Sequence, residues 1–180
     1  MGVAADLGYR HEPINGFQRL MHRFGSTRVG AWFFSKTLTT LDRAFVKLTK
    51  GRTSVPEVLA GLPVVFVTTT GRKSGQPRSA PLISVPVGDT LALIGTNFGQ
   101  ARTPGWVFNL EADPSARVRY RDVEVAATVR PATDDERAAV WKAASAVYPG
   151  YDTYQQRITG REIRIFVLEP AGSDPADPAG

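Results

Sequence analysis

Residues 64–78 read VVFVTTTGRKSGQPR, and the way this stretch divides decides the fold. Val64 to Val67 form an apolar, β-branched run that reads as a buried strand, and Thr68 to Thr70 continue it. Gly71-Arg72-Lys73-Ser74-Gly75 makes a tight basic turn, and Gln76-Pro77-Arg78 leads into a second apolar run, so the unit is a hairpin of antiparallel strands. Two glycines allow positive φ and can expose successive backbone N–H groups. Arg72, Lys73 and Arg78 add cations at the same place, with Ser74 between them, and the combination suits a bound anion. A solvated hairpin turn explains the same residues without a ligand. The spacing is not that of a Walker A loop, and no helical pattern follows as a Rossmann fingerprint requires.

Outward from the hairpin, the pattern stays antiparallel. Strands are expected over residues 63–70, 79–87, 90–96, 116–120, 123–130 and 163–168, with Pro81 and Pro86 marking edge positions or bulges. Gly88-Asp89 is a hairpin turn. Thr103 and Pro104 are expected to open a helix that runs to Ala112 and stops at Asp113-Pro114. Thr133 and Glu136 form a capping box for a helix to Val147, and a short helix after Pro149-Gly150 carries Tyr151, Tyr154 and Ile158. Adjacent antiparallel strands with helices inserted late predict an α+β domain, a small barrel rather than a parallel sheet.

Before the barrel, residues 1–16 show no period and are expected to form a loose terminus. Within 28–50, Ala31, Phe34, Leu38, Leu41, Phe45 and Leu48 recur at spacings of three and four, with Lys36, Arg43, Lys47 and Lys50 opposite. That is a basic amphipathic helix. It admits three readings: packing on the domain, attachment to an anionic membrane surface, or contact with an acidic ligand. The domain plan is therefore 1–62 for tail, helix and linker, 63–170 for the barrel, and 171–180 for a Pro-, Ala- and Gly-rich disordered tail.

Composition narrows the chemistry. A chain of 180 residues suffices for one domain with a proper core. It has no cysteine, which excludes thiol catalysis and disulfides, and two histidines, His11 and His22, which makes histidine metal clusters and Ser-His-Asp triads improbable. No metal is expected. Lys and Arg exceed Asp and Glu by 22 to 17, for a net charge of +5, which favours an anionic partner. The aromatics do not sit as stacking positions on exposed strands, so nucleic acid is not expected. No apolar run is long enough to span a bilayer and no secretory leader is apparent, so the expected location is cytoplasmic. Any hard chemistry would come from a bound organic cofactor.

Two further segments carry chemical potential. Gly95–Asn109, GTNFGQARTPGWVFN, is a strand–loop–helix that can face a planar or anionic ligand with backbone N–H groups, or be a plain connection. Tyr148, Tyr151 and Tyr154, three apart, place aromatic faces with phenol tips on one side of a helical segment, either as an aromatic pocket or as a core stripe.

In order, TTTGRKSGQPR (68–78), IGTNFGQARTPGWVFNL (94–110), ADP (112–114), TDDER (133–137) and YPGYDTY (148–154) resemble the deazaflavin-dependent nitroreductase and F420H2-dependent quinone reductase family. The upstream STRVGAWFFSKTLTTLDRAFVKLTKGR (26–52) resembles members with a basic N-terminal helix. The resemblance implies a split β-barrel and reduced coenzyme F420 as hydride donor to a quinone, nitro compound or activated enone. Carried across by position, it implies cofactor contacts from Arg72, Lys73, Ser74, Arg78, Pro81, Gly95, Thr96, Asn97, Trp106 and Asn109. It implies an acceptor pocket of Tyr148, Tyr151 and Tyr154, with Ile83 where some members carry tyrosine. Tyr148 is the expected proton donor, with Thr96 as hydrogen-bonding partner. Some members have Ser-Lys at Thr96-Asn97, so this chain lacks one cation there. The alternatives are an FMN-binding split barrel and a non-catalytic cofactor-binding barrel. The helix over 31–50 fits an enzyme working on quinones at the inner membrane face.

Overall fold

The computed structural model describes residues 2–9, 27 and 62–172. Six strands form the expected hairpins: β1 (Val64–Thr70), β2 (Pro77–Val87), β3 (Thr90–Ile94), β4 (Ser115–Tyr120), β5 (Val123–Pro131) and β6 (Ile165–Pro170). They close into a barrel in the order β1-β2-β3-β6-β5-β4, every neighbour antiparallel, which leaves no open sheet edge. The long strand β2 changes partner midway: Pro77 to Ile83 pair with β1, and Ser84 to Val87 pair with β3. Pro81 falls in the first part, opposite Phe66, where β2 has no β3 partner to receive a donor. The sequence placed the third strand two residues too long, because Gly95 and Thr96 turn away from the ladder, and the last strand two residues too early.

Alternation along the strands separates two cores. Val65, Val67, Leu91, Leu93, Val118, Val129, Phe166 and Leu168 point inward and fill the barrel. Ala92, Ile94, Val85 and Ile165 point outward and are covered by two helices, α3 (Asp134–Val147) and α4 (Gly150–Arg157), through Val140, Ala144, Val147 and the three tyrosines.

Both barrel ends are plugged. The short helix α1 (Val3–Asp6) inserts Val3 and Leu7 into the inner core at the β2–β3 hairpin end, where the Ala4 N–H donates to Asp89 O at 3.2 Å. Tyr9 lies against Tyr120 with ring centroids 5.3 Å apart, and burial pushes its phenol up to about 12. Residues 2–9 are thus not the loose terminus expected from their lack of period: a four-residue helix is too short to show one, and its anchors are two isolated apolar residues. The opposite end is closed by α2 (Gly105–Ala112), which buries Val107 and Leu110. Pro104, with extended ψ, occupies the cap of α2, and the Thr103 side chain does not cap it.

The capping box of α3 is present as predicted: Glu136 N–H donates to Thr133 Oγ1 at 3.3 Å and Thr133 N–H to Glu136 Oε2 at 2.7 Å. Arg130 joins it to the sheet, forking onto both Glu136 oxygens at 2.7 Å and reaching Glu169 at 2.6 Å. The amphipathic helix predicted over 31–50 and the tail over 173–180 lie outside the described residues. Among the described residues no helix is long and apolar enough to cross a membrane.

Candidate active site

The basic turn is built from inside. Gly71 N–H donates to Gln76 O at 2.9 Å, and Ser74 and Gly75 N–H groups converge on Gly71 O at 3.0 and 2.7 Å. Gln76 N–H donates to Ser74 Oγ at 3.3 Å. Only Gly75 uses positive φ, at 64°. Gly71 is needed for room instead: a Cβ there would stand 2.8 Å from Ser74 Oγ and 3.0 Å from Gln76 O. Four of the N–H groups expected from the sequence to be free, those of Gly71, Ser74, Gly75 and Gln76, are therefore spent within the turn. What faces solvent is side-chain charge. Arg72, Lys73 and Arg78 are exposed, and none is paired with a carboxylate among the described residues.

Asn109 fastens this turn to the barrel plug. Its Oδ1 accepts the Arg72 N–H at 3.1 Å and its Nδ2 donates to Thr69 Oγ1 at 3.0 Å. The Thr69 hydroxyl, buried on the inward face of β1, donates in turn to Arg78 O at 3.4 Å. The Arg72 guanidinium lies 4.5 Å from the centroid of the Phe108 ring, one residue along α2. Asn109, expected as a cofactor contact, thus positions two of the three cations from beneath. Thr69 was not anticipated; strict alternation from Val65 and Val67 would have placed it inward.

The loop after β3 also rests on α2. A Cβ at Gly95 would stand 3.0 Å from Val107 Cγ2, so glycine is required by close approach. Thr96 is buried. Asn97, Phe98 and Gly99 then take φ of 49°, 56° and 76° in succession. Left-handed backbone costs about 1 kcal/mol or more at a residue such as Phe98, so the surroundings must impose it. They do so through Gly99 N–H to Thr96 O at 3.0 Å, Asn97 Nδ2 to Arg102 O at 2.9 Å, and packing of Gly99 against the Tyr154 ring. The Asn97 amide therefore works within its own loop. Trp106, expected at the cofactor, is half-buried and packs against the inner core, its ring 5.8 Å from that of Phe166.

On the outer face, Pro81 and Ile83 share the parity of Val85, and Ile83 packs on the same cluster as the tyrosines. Tyr148, Tyr151 and Tyr154 are each buried, with ring centroids 5.9, 6.0 and 6.3 Å apart. The Tyr148 and Tyr154 hydroxyls are 3.3 Å apart. Burial, with the neighbouring tyrosines, holds the phenols of Tyr151 and Tyr154 well above the usual range, so both keep their protons. The structure brings the basic turn, the Gly95–Asn97 loop and Asn109 together around α2, and joins the loop to the tyrosines through Gly99. Among the described residues no group of acidic and histidine side chains could hold a metal.

A closed six-stranded antiparallel barrel, plugged at both ends, with an exposed basic turn against α2 and an aromatic cluster on its outer face, is a split β-barrel. The profile of the F420H(2)-dependent quinone reductase family matches residues 41–170, and the chain belongs to that family. It is accordingly an oxidoreductase whose cofactor is reduced F420. Among its relatives, the F420H(2)-dependent quinone reductase Rv1261c of Mycobacterium tuberculosis (strain ATCC 25618 / H37Rv) is 30% identical over 134 residues, 73% of this chain and 89% of that protein. The putative F420H(2)-dependent quinone reductase Rv3178 of the same strain is 28% identical over 61% of this chain and 91% of its own. A solved F420-H2 dependent reductase, FDR-A, is 37% identical and superposes with a TM-score of 0.55, covering 59% of this chain and 94% of that one. A structure described as a domain-swapped dimer is 32% identical with a TM-score of 0.57, covering 77% of this chain and 97% of that one.

Proposed function

We propose that the chain reduces a quinone, with the basic turn holding the cofactor's anionic end and the tyrosine cluster facing the acceptor. The observation that carries this reading is the trio Arg72, Lys73 and Arg78: three cations without carboxylate partners among the described residues, on a turn that Asn109 and Thr69 hold rigid. Unpaired cations on a preorganised turn fit a phosphate and a glutamyl tail, which F420 carries and FMN carries only in part. The outer face of β2 at Pro81 and Ile83, with Gly95, Thr96 and the Asn97 backbone, would flank the ring. When bound, the reduced deazaflavin supplies a hydride from C5.

The protein's part is placement and proton supply. A quinone that takes up a hydride becomes a hydroquinone monoanion and needs one proton to become the neutral hydroquinone, and a buried phenol can give it. Tyr148 is the donor in this reading. Its hydroxyl lies 3.3 Å from that of Tyr154, whose phenol burial keeps protonated. Tyr154 can therefore donate a hydrogen bond to the Tyr148 oxygen as that oxygen loses its proton. The aromatic walls exclude water and offer flat faces to a planar acceptor. The basic, aromatic segment 31–50 would hold the enzyme at the inner face of an anionic membrane, where quinones dissolve. Deletion of residues before Thr53 then lowers binding to anionic vesicles, and undiminished binding would return the helix to a packing role.

Equilibrium titration with F420 and with FMN, followed by fluorescence, tests the cofactor site. Tight F420 binding and weak FMN binding are expected, and Arg72→Ala/Lys73→Ala should weaken F420 binding by about tenfold per cation. Equal affinity of the double variant removes the turn from the site; preference for FMN changes the cofactor of the same barrel.

A further inference from the structure

The Thr96–Gln100 loop is held by a residue 61 positions away from its end. Arg161, in the segment between α4 and β6, donates from Nη2 to Gln100 O at 3.1 Å and to Thr96 O at 3.2 Å. One nitrogen thus ties the two ends of the left-handed turn Asn97–Gly99. Its Nη1 reaches only the neighbouring carbonyl, Glu162 O, at 3.5 Å. Its Nε is buried without a partner. No carboxylate pairs with this guanidinium among the described residues; Glu162, next in sequence, pairs with Arg137 and Arg164 instead.

This is an unusual use of an arginine. A half-buried cation without a carboxylate partner among the described residues carries a desolvation cost, which pulls the Arg161 guanidinium below its usual range. Its compensation is two carbonyl dipoles, both belonging to the loop that carries Thr96. The same loop presses Gly99 on the Tyr154 ring, where a Cβ would stand 3.0 Å from Tyr154 Cδ1 and 3.6 Å from the Arg157 side chain. Thr96 and the tyrosine wall are therefore linked by a turn whose backbone would not hold its conformation unaided.

We propose that Arg161 is a positioning residue for the reaction: by clasping Thr96 O and Gln100 O it holds the left-handed turn, and so sets the spacing between the Gly95–Asn97 side of the site and the Tyr148–Tyr154 side. The inference rests on the reading of this loop as part of the reductase site. Its mechanical half stands apart from that reading and is tested separately.

Arg161→Met and Arg161→Lys are compared with the parent protein by amide hydrogen exchange and by steady-state quinone reduction. In Arg161→Met the Gly99 and Gln100 amides, which donate to Thr96 O and Asn97 O, should exchange about tenfold faster or more, while amides of β3 and β6 keep their rates. The value of kcat should fall by about tenfold or more, since small misplacements of reacting groups are expensive. Lysine keeps a donor and a charge, and should recover part of both effects. Unchanged exchange at Gly99 and Gln100 overturns the clasp, and faster exchange with unchanged kcat overturns its role in the reaction. F420 titration of the parent protein separates the two levels: if the parent does not bind F420, the site reading fails, whereas the exchange result still judges the clasp.

Discussion

The Tyr148 ring lies directly over Gly150, so closely that a Cβ at Gly150 would overlap the phenol. Gly150 opens α4 in helical conformation, so it is glycine for space and not for φ. With Pro149 between them, the two residues fold the end of α3 onto the start of α4 and fix where the Tyr148 hydroxyl points. Gly150→Ala should force the ring out of its packing and cost about 1–3 kcal/mol, the usual range for overpacking. Chemical denaturation reads the loss. If Tyr148 is the proton donor, kcat should fall as well while F420 affinity holds; an unperturbed variant would mean that the Tyr148 ring has another resting place.

Tyr148→Phe separates the ring from its hydroxyl. The aromatic packing with Tyr151 and Tyr154 remains, and the 3.3 Å contact with the Tyr154 hydroxyl is lost. A positioned general acid contributes about 10²–10⁴-fold, so turnover should drop by about a hundredfold with F420 affinity unchanged. Steady-state kinetics against a soluble quinone decide it. Full activity in the variant assigns proton delivery to solvent or to Tyr154.

Glu136 gives a prediction in pH. The two Arg130 hydrogen bonds, above all, hold its carboxyl down at about 2, and the Thr133 N–H assists. Because the folded value lies below the ordinary carboxylate value, the stabilisation is fully present above the unfolded pKa near 4.5 and is lost as pH falls from there toward about 2. Glu136→Gln keeps an oxygen for the capping box but removes the charge. Urea titrations should show the variant less stable by about 1–3 kcal/mol at pH 7, with the gap closing by about pH 2. A gap that does not change with pH would show that charge is not what Arg130 recognises.

Much of this architecture is legible in the residues themselves. The apolar run Val64–Val67, the turn at Gly71–Gly75 and the capping box at Thr133–Glu136 are local signals, and local geometry followed them. The site was harder to read because its supports act across long separations. Asn109 meets Arg72 through α2, and Arg161 meets Thr96 across the outer face; neither has a sequence neighbour that announces it. Trp106 shows the same distance: its packing on Phe166, sixty residues further along the chain, appears only once the barrel closes. The spent N–H groups of the basic turn illustrate the same limit: glycine content shows that a tight turn is allowed, but not where its donors go.

The last prediction concerns the N-terminal plug. Leu7 is 1% exposed and Val3 1%, both inside the barrel, yet they stand on a helix of four residues that could not persist alone. Their burial must be what orders the segment, and with Ala4 and Tyr9 they pack on the inner core at the β2–β3 hairpin end. Leu7→Ala should therefore cost about 2–5 kcal/mol, as for a core leucine, rather than the few tenths expected of a terminal residue. The change should also raise amide exchange at Tyr9, whose N–H donates to Ala4 O at 2.9 Å, before it affects β4 or β5. Denaturant midpoints and exchange rates measured on the one variant settle the matter: a loss below about 0.5 kcal/mol would mean that the barrel closes without its plug and that residues 2–9 are an appendage.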